Sequence, residues 1–477
     1  MQHADLIRLP ALSVVELLAK GTVSPLDCID ALEQRIAAVD TKVNALPTLC
    51  LERARDRARA LMQRPAESRG RLAGLPIPIK DLTAVEGVRT THGSTIFATD
   101  VPARSDVLVE HLERQGAIVY AKSNTPEFGA GANTFNEVFG RTLNPWNTSR
   151  SAAGSSGGAA VALATGMAWL AHGSDMGGSL RNPASFCGVV GMRPSPGRVA
   201  RSRTSSLDGM LSVDGPMARD VEDLALLLDA MAGAERCDPV SLPSDGISFL
   251  AAARGGPLPR RVAFSRDLGV TPVEPDVAAA IETAAAKLAA AGVIVEEAHP
   301  DLSEAHDCFQ VLRALAFATG LKDLLGTHGD RLKPEIVWNV EKGLKLTVEE
   351  IIKAEQQRVS MFDRTIAFFE RYDLLLAPAT ITTAFPVEQR YLAECNGYRF
   401  GNYVEWLAIA YAITLVACPA ISIPAGFSHE QLPVGLQIVG PPQSEASVLR
   451  GAKLMQDVLD LGPITPIDPR EPREPRR

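Results

Sequence analysis

Between Asn147 and Ser179 the chain carries seven glycines and six serines in 33 residues. They gather in two clusters, Gly154-Ser155-Ser156-Gly157-Gly158 and Gly173-Ser174-Asp175-Met176-Gly177-Gly178-Ser179. Glycine lets backbone N–H groups converge on an anion, which suits a phosphate or an oxyanion equally. Nucleotide phosphate is disfavoured because the spacing GxxxxGK[ST] is absent. The first cluster also satisfies G-x-S-x-G, the nucleophile elbow of α/β hydrolases. That elbow needs an apolar strand before it and an acid and a histidine after it. Here Pro145-Trp-Asn-Thr-Ser-Arg-Ser151 is polar and turn-like, and no downstream histidine stands in recognisable company. Two flexible linkers are the remaining reading, and a weak one. The clusters flank Ala159-Ala-Val-Ala-Leu-Ala-Thr165, an Ala-rich segment expected to be a helix buried on most faces. Upstream, Lys80-Asp81 closes the apolar run Leu75-Pro-Ile-Pro-Ile79. Taken in isolation, Lys80 reads as a surface lysine at a strand end.

The elements that must hold these residues alternate in type. Ser24-Pro25 starts a helix whose apolar Leu26, Ile29, Leu32 and Ile36 share a face. Residues 51–63 suit an Arg- and Ala-rich surface helix. Residues 75–81 form a short buried strand whose prolines forbid a central ladder position. A helix over 107–115 and a strand over 117–121 follow. Strand 262–264, helix 275–291 and strand 293–296 make a βαβ unit, hence a parallel pair with a right-handed crossover. Residues 303–371 read as almost wholly helical, 374–377, 421–424 and 434–439 as strands, and 445–459 as a closing helix. The Pro-rich, charged tail 468–477 is expected to be disordered. With no tandem repeat and no linker-like stretch, residues 1–467 read as one large mixed α/β domain.

Composition narrows the partners. The 477 residues have 46% hydrophobic and 22% charged side chains, which is ordinary for a globular protein with a sizeable core. A formal net charge of −8 without a basic run argues against a nucleic-acid or anionic-membrane surface. Aromatics at 5% are too sparse for a base-stacking platform or a sugar-binding strip. Seven scattered cysteines without CxxC suggest reduced thiols in a cytoplasmic protein. His3, His92, His111, His172, His299, His306, His328 and His429 never fall in HxH or HExxH spacing, so metal catalysis is disfavoured. Each histidine reads as an ordinary surface or core residue. The amino terminus has no signal-peptide pattern, and no uncharged apolar run is long enough to span a membrane.

Taken together, the motifs resemble the amidase signature family. The residues that carry the likeness are Pro78-Ile79-Lys80-Asp81, the GSSGG cluster, and the run from Gly173 through Ser179 to Leu180-Arg181-Asn182-Pro183-Ala184. Phe186-Cys-Gly-Val-Val-Gly-Met-Arg-Pro194, Gly215-Pro-Met-Ala-Arg-Asp-Val-Glu-Asp223, Cys418-Pro-Ala-Ile-Ser-Ile-Pro424 and Leu432–Pro442 extend it. The likeness runs in order from Ser24 to about Arg450, and the two serines stand 24 residues apart as in the family. It implies a mixed central β-sheet covered by helices on both faces, with catalytic motifs over 75–195 and a variable, substrate-selecting region over 303–410.

The resemblance also implies chemistry. Ser179 would attack an amide carbonyl, and Ser155, on a peptide bond that is cis in relatives, would relay the proton to and from Lys80. The backbone N–H groups of Met176, Gly177, Gly178 and Ser179 would form the oxyanion hole. Ser156, Asp175 and Arg181 would support the loops. Apart from the resemblance, the small residues of the tract 124–133, with Gly129, Ala130 and Gly131, would let backbone approach a ligand and border the substrate, although a turn-rich connection explains them nearly as well. Lys80 faces the hardest demand. A lysine near pKa 10.4 must fall by about 3, roughly 4 kcal/mol against its charged form, to accept a proton at neutral pH. Burial beside residues 75–79 would supply that. Met176 stands where many relatives have Thr, and Ala153 where many have Gly; neither change removes a backbone donor. In the variable region Phe309, Phe317, Trp338, Phe362, Tyr403 and Trp406 favour an apolar or aryl substrate portion, although helix packing explains them equally well.

The expected function is therefore hydrolysis of a small, fairly apolar amide, aryl amide or carbamate, with no cofactor, no metal, no nucleic acid and no membrane. A homodimer is compatible with this. The runner-up is the glutaminase-type subunit of a tRNA-dependent amidotransferase, although the residues after Pro194 do not look like that subunit's and no glutamine-specific acid–base pair stands out. A silent binding protein on the same scaffold is disfavoured by intact Lys80, Ser155 and Ser179.

Overall fold

Pro76 and Pro78 lack the N–H that a central strand must donate. In the computed structural model, which describes residues 3–202, 209–244 and 246–472, their strand lies at a sheet edge. A small sheet joins β1 (Thr48–Leu49), β2 (Pro76–Lys80) and β3 (Ile118–Ser123) in the order β1-β3-β2. β2 and β3 run parallel, with Lys80 opposite Ser123. The large sheet has eight strands: β4 (Leu170–Asp175), β5 (Val190–Arg193), β6 (Val213–Ala218), β7 (Arg261–Phe264), β8 (Ile294–Glu297), β9 (Leu374–Pro378), β10 (Ala420–Phe427) and β11 (Pro433–Val439). Their order is β8-β7-β9-β11-β10-β5-β6-β4. The β8-β7-β9 third is parallel and every other pair is antiparallel, so the sheet is mixed.

Helices flank this sheet in one α/β domain. Ser24 caps α1 (Pro25–Val39) through a reciprocal bond with Asp27, the Pro-led start that the sequence calls for. Next come α2 (Leu51–Met62), which buries only Ala54, Ala58 and Leu61, and α3 (Val107–Arg114). The Ala-rich α4 (Gly157–Ala164) is buried at every residue and is followed by the short α5 (Arg181–Cys187). α6 (Pro275–Ala290) connects β7 to β8, whose parallel register pairs Arg261 with Ile294, so the βαβ unit is present. The helical region resolves into α7 (Ala305–His328), α8 (Pro334–Leu344) and α9 (Val348–Phe369). Finally α10 (Ala408–Leu415) packs against α7 and α9, and α11 (Glu445–Leu459) packs against β10 and β11.

Three local readings change. Asn147–Ser151, read as turn-like, is a short strand paired with Leu143–Asn144. Gly173, Ser174 and Asp175 belong to β4, so the second glycine cluster begins as strand and ends as loop. In the tail, Asp468 bonds Arg35 at 2.7 Å and the Arg470 N–H donates to the Pro145 carbonyl at 2.9 Å. These two residues are held, while 473–477 lie outside the described residues. Among the described residues no helix is long and apolar enough to cross a membrane.

Candidate active site

Lys80 ends β2, and its side chain is completely buried. Its Nζ lies 2.7 Å from Ser155 Oγ, 2.9 Å from Ser156 Oγ and 3.0 Å from Ser174 Oγ. A neutral amine offers two N–H donors and one lone pair, so one of these hydroxyls can donate to the nitrogen. Ser155 is the nearest. Burial is the main cause that lowers the Lys80 pKa, to about 7, against the opposing pull of Asp214 and Asp175. The surface-lysine reading is thereby excluded. The Gly154–Ser155 peptide is cis, and Ala153 before it holds a φ of 55°, in the left-handed region where glycine is at ease.

A second buried lysine shows what distinguishes Lys80. Lys122 Nζ is 3.5 Å from the Asp81 carboxylate and donates to the Thr83 carbonyl and Thr90 Oγ1. Burial lowers its pKa too, to about 8, but no candidate nucleophile or relay serine bonds its amine. Behind Lys80 stands a group that the sequence did not single out. Its backbone N–H donates to His172 Nδ1 at 3.3 Å, and His172 Nε2 faces Asp214 Oδ1 at 3.0 Å. Burial would raise the Asp214 pKa, but Arg201 at 2.6 Å and His172 outweigh it and hold the carboxyl well below its usual range. His172 is thus a core histidine, as read, yet one that anchors the lysine's backbone. No motif spacing announces it; only the β4–β6 pairing brings Asp214 beside it.

The loop after β4 carries Ser179. Asp175 organises that loop, accepting the N–H groups of Gly178 and Leu180 at 3.0 Å each. Its carboxylate is gripped by Arg181 through Nη2 at 2.9 Å and Nε at 3.1 Å. Burial pushes the Asp175 pKa up, but Arg181 and Arg193 hold it well below the carboxylate range. Arg181 also donates to the Ala410 carbonyl at 2.9 Å and Gln437 Oε1 at 2.6 Å, which ties the loop to α10 and β11. Asp175 and Arg181 thus brace the loop by these bonds, and Ser156 donates its N–H to the Ser179 carbonyl at 3.2 Å.

Of the four N–H groups expected to hold an oxyanion, one is engaged within the loop. Gly178 N–H is already given to Asp175, whereas among the described residues the N–H groups of Met176, Gly177 and Ser179 have no acceptor. Gly178 has another reason to be glycine. Its φ is +106°, and a Cβ would lie 2.5 Å from Asn182 Oδ1 and 2.7 Å from Ala410 Cβ. The first cluster likewise serves packing more than anion binding. A Cβ on Gly158 would stand 2.3 Å from the Asn124 nitrogen, and Gly158 N–H donates to the Asn124 carbonyl.

Ser155 and Ser179 share a cavity of about 80 Å³ with Gly129, Gly131, Met176 and Gly177. Gly129 sits close enough that a Cβ would be 3.3 Å from Ser155 Oγ. Ala130 is corrected: it does not line the cavity but packs on Phe317, Leu332, Ile336 and Val340, because the chain turns it inward between the two glycines. Of the aromatic residues named from the sequence, Phe309 and Phe317 reach the cavity. Trp406 is core, edge-on to Phe385, and Trp338 is partly exposed against Tyr403. Leu82, Phe128, Val404, Leu407 and Arg313 complete much of the lining and were not foreseen.

Removing the Asp175 carboxylate strands two buried guanidinium groups. Asp175→Ala is expected to lower unfolding free energy by about 3–5 kcal/mol, measured by denaturant titration. A loss below about 1 kcal/mol would mean that the pair does not hold the loop.

A family model described as Amidase matches residues 27–449. The chain is 34% identical to an acylamidase of Rhodococcus erythropolis over 458 residues, covering 95% of this chain and 96% of that protein. It is 35% identical over 474 residues to a glutamyl-tRNA(Gln) amidotransferase subunit of Moorella thermoacetica, covering 94% and 96%. Among solved structures, a bacterial aryl acylamidase of the amidase signature enzymes superposes with a TM-score of 0.89 at 26% identity, covering 96% of each chain.

Proposed function

Because the chain belongs to the amidase signature family and is an amidase, we propose that it cleaves a small, fairly apolar amide through an acyl-enzyme on Ser179. One observation carries this reading most strongly: a fully buried Lys80 amine, with its pKa near 7, lies 2.7 Å from Ser155 Oγ. Ser179 Oγ attacks the carbonyl carbon and gives its proton to Ser155 Oγ, whose own proton passes to neutral Lys80. The N–H groups of Met176, Gly177 and Ser179 hold the oxyanion; such a donor is typically worth about 10²–10³ in rate. Collapse breaks the C–N bond, and the proton returns from Lys80 through Ser155 to the leaving amine. Water then attacks the ester with the same relay, releasing the acid and restoring Ser179.

Leu82, Phe128, Phe309, Phe317, Val404 and Leu407 around the cavity support an apolar substrate body. The amidotransferase reading fits less well. Glutamine carries an ammonium, and among the described residues no Asp or Glu lines the cavity to meet it. The purified chain alone is expected to release amine or ammonia from small aryl and aliphatic amides at least 10-fold faster than from glutamine. Efficient glutamine hydrolysis that appears only with added partner chains would overturn this assignment.

A further inference from the structure

Arg313, on α7, is the one cation on an otherwise uncharged cavity wall among the described lining residues. It is 7% exposed, and no carboxylate lies within ion-pair distance of it among the described residues. Among the described residues Nη1 meets the Met176 sulfur alone, at 3.4 Å, and Nη2 meets the Tyr403 hydroxyl at 3.0 Å. Nε is buried with no acceptor among the described residues. The guanidinium rests on the Phe317 ring, 4.5 Å from its centroid, which fixes its plane without neutralising its charge. The two fully buried arginines beside the site both have an acid: Arg181 and Arg193 share Asp175. A desolvated cation without an anion is costly, and a planar fork with an unused donor matches a carboxylate.

We propose that Arg313 selects amides that carry a carboxylate, binding that anion across the cavity from Ser179. This rests on the amidase reading for its reaction but not for its binding. The substrate class is then a short ω-carboxyl amide, apolar between the two ends, with the carboxylate on Arg313 and the amide carbonyl toward Met176, Gly177 and Ser179. An α-ammonium on the same skeleton finds no counter-charge among the described lining residues, so glutamine is the disfavoured member of the class.

The test compares succinamate, glutaramate and adipamate with the matching diamides, which differ in charge and hardly in shape. With the wild-type chain, kcat/KM for the best carboxylate is expected to exceed that of its diamide by about 10-fold or more, the range of a charge-assisted hydrogen bond. Arg313→Met is expected to collapse that ratio to near 1, and Arg313→Lys to keep part of it. A purely structural role for Arg313 would instead lower both rates together and leave the ratio intact, which would overturn the proposal. Binding is read separately by calorimetry on the Ser179→Ala chain. There the carboxylate should bind at least 10-fold tighter than the diamide, and Arg313→Met in that background should remove the preference. If the carboxylate binds with this preference but wild type hydrolyses nothing, the amidase mechanism fails and the anion site stands. Equal binding of acid and diamide overturns the anion site whatever the turnover.

Discussion

Ser179→Ala is expected to lower kcat/KM toward any accepted amide by about 10⁴-fold or more, with the fold intact. Removing a nucleophile from a working relay commonly costs this much, because the remaining members have nothing to activate. The fold should not notice the change. Among the described residues Ser179 Oγ bonds no partner, and the main chain around it is held by Asp175 and by Ser156 N–H. Unfolding free energy should stay within about 0.5 kcal/mol of wild type. A residual rate near wild type would remove Ser179 from the chemistry. A collapse in stability alongside the activity would leave the rate loss unexplained, so circular dichroism and a melt belong with the kinetics.

Lys80→Ala should produce the second large effect, and its signature is a pH profile. Neutral Lys80 is the proposed base, and burial brings its pKa to about 7. In wild type, log kcat/KM should rise with a slope near 1 below pH 7 and flatten above it, as the amine loses its proton. Lys80→Ala should lose about 10²–10⁴ in rate at neutral pH. It should recover partly at high pH, where hydroxide takes over the base role. Retention of both the neutral-pH rate and the inflection would assign the base elsewhere. Stability carries the same sign: the folded-state value of about 7 lies below the unfolded 10.5, so this site favours folding fully above 10.5 and loses that contribution as pH falls through 7. Relative to Lys80→Ala, wild type should therefore gain stability as pH rises between those values.

Much of this site could be read from residue order because its parts are local. The GSSGG cluster, the loop after Gly173 and the apolar approach to Lys80 are each contiguous, so short motifs carry the family resemblance from which their roles are inferred. The βαβ unit and the all-helical stretch after residue 303 were legible for the same reason, since periodicity is a local signal. What escaped was assembled by tertiary contact. His172 looked like any core histidine until the β4–β6 register set Asp214 beside it and Lys80 N–H against its other nitrogen. Arg313 was invisible inside a long helix because its meaning lies in what it lacks among the described residues, a carboxylate partner. Gly178 was read as an oxyanion donor from the family resemblance, and a carboxylate three residues upstream takes its N–H. Ala130 failed for a similar reason: its small size suggested proximity to a ligand, whereas it serves a separate apolar cluster.

The measurement closest to the central claim is acid-quench mass spectrometry of the chain during steady-state turnover of an activated aryl ester or anilide. An acyl group should appear on the peptide that carries Ser179, disappear with hydroxylamine, and be absent from the Ser179→Ala chain. Turnover with no adduct, or an adduct that maps to Ser155 in the wild-type chain, would contradict a Ser179 acyl-enzyme served by the Ser155–Lys80 relay.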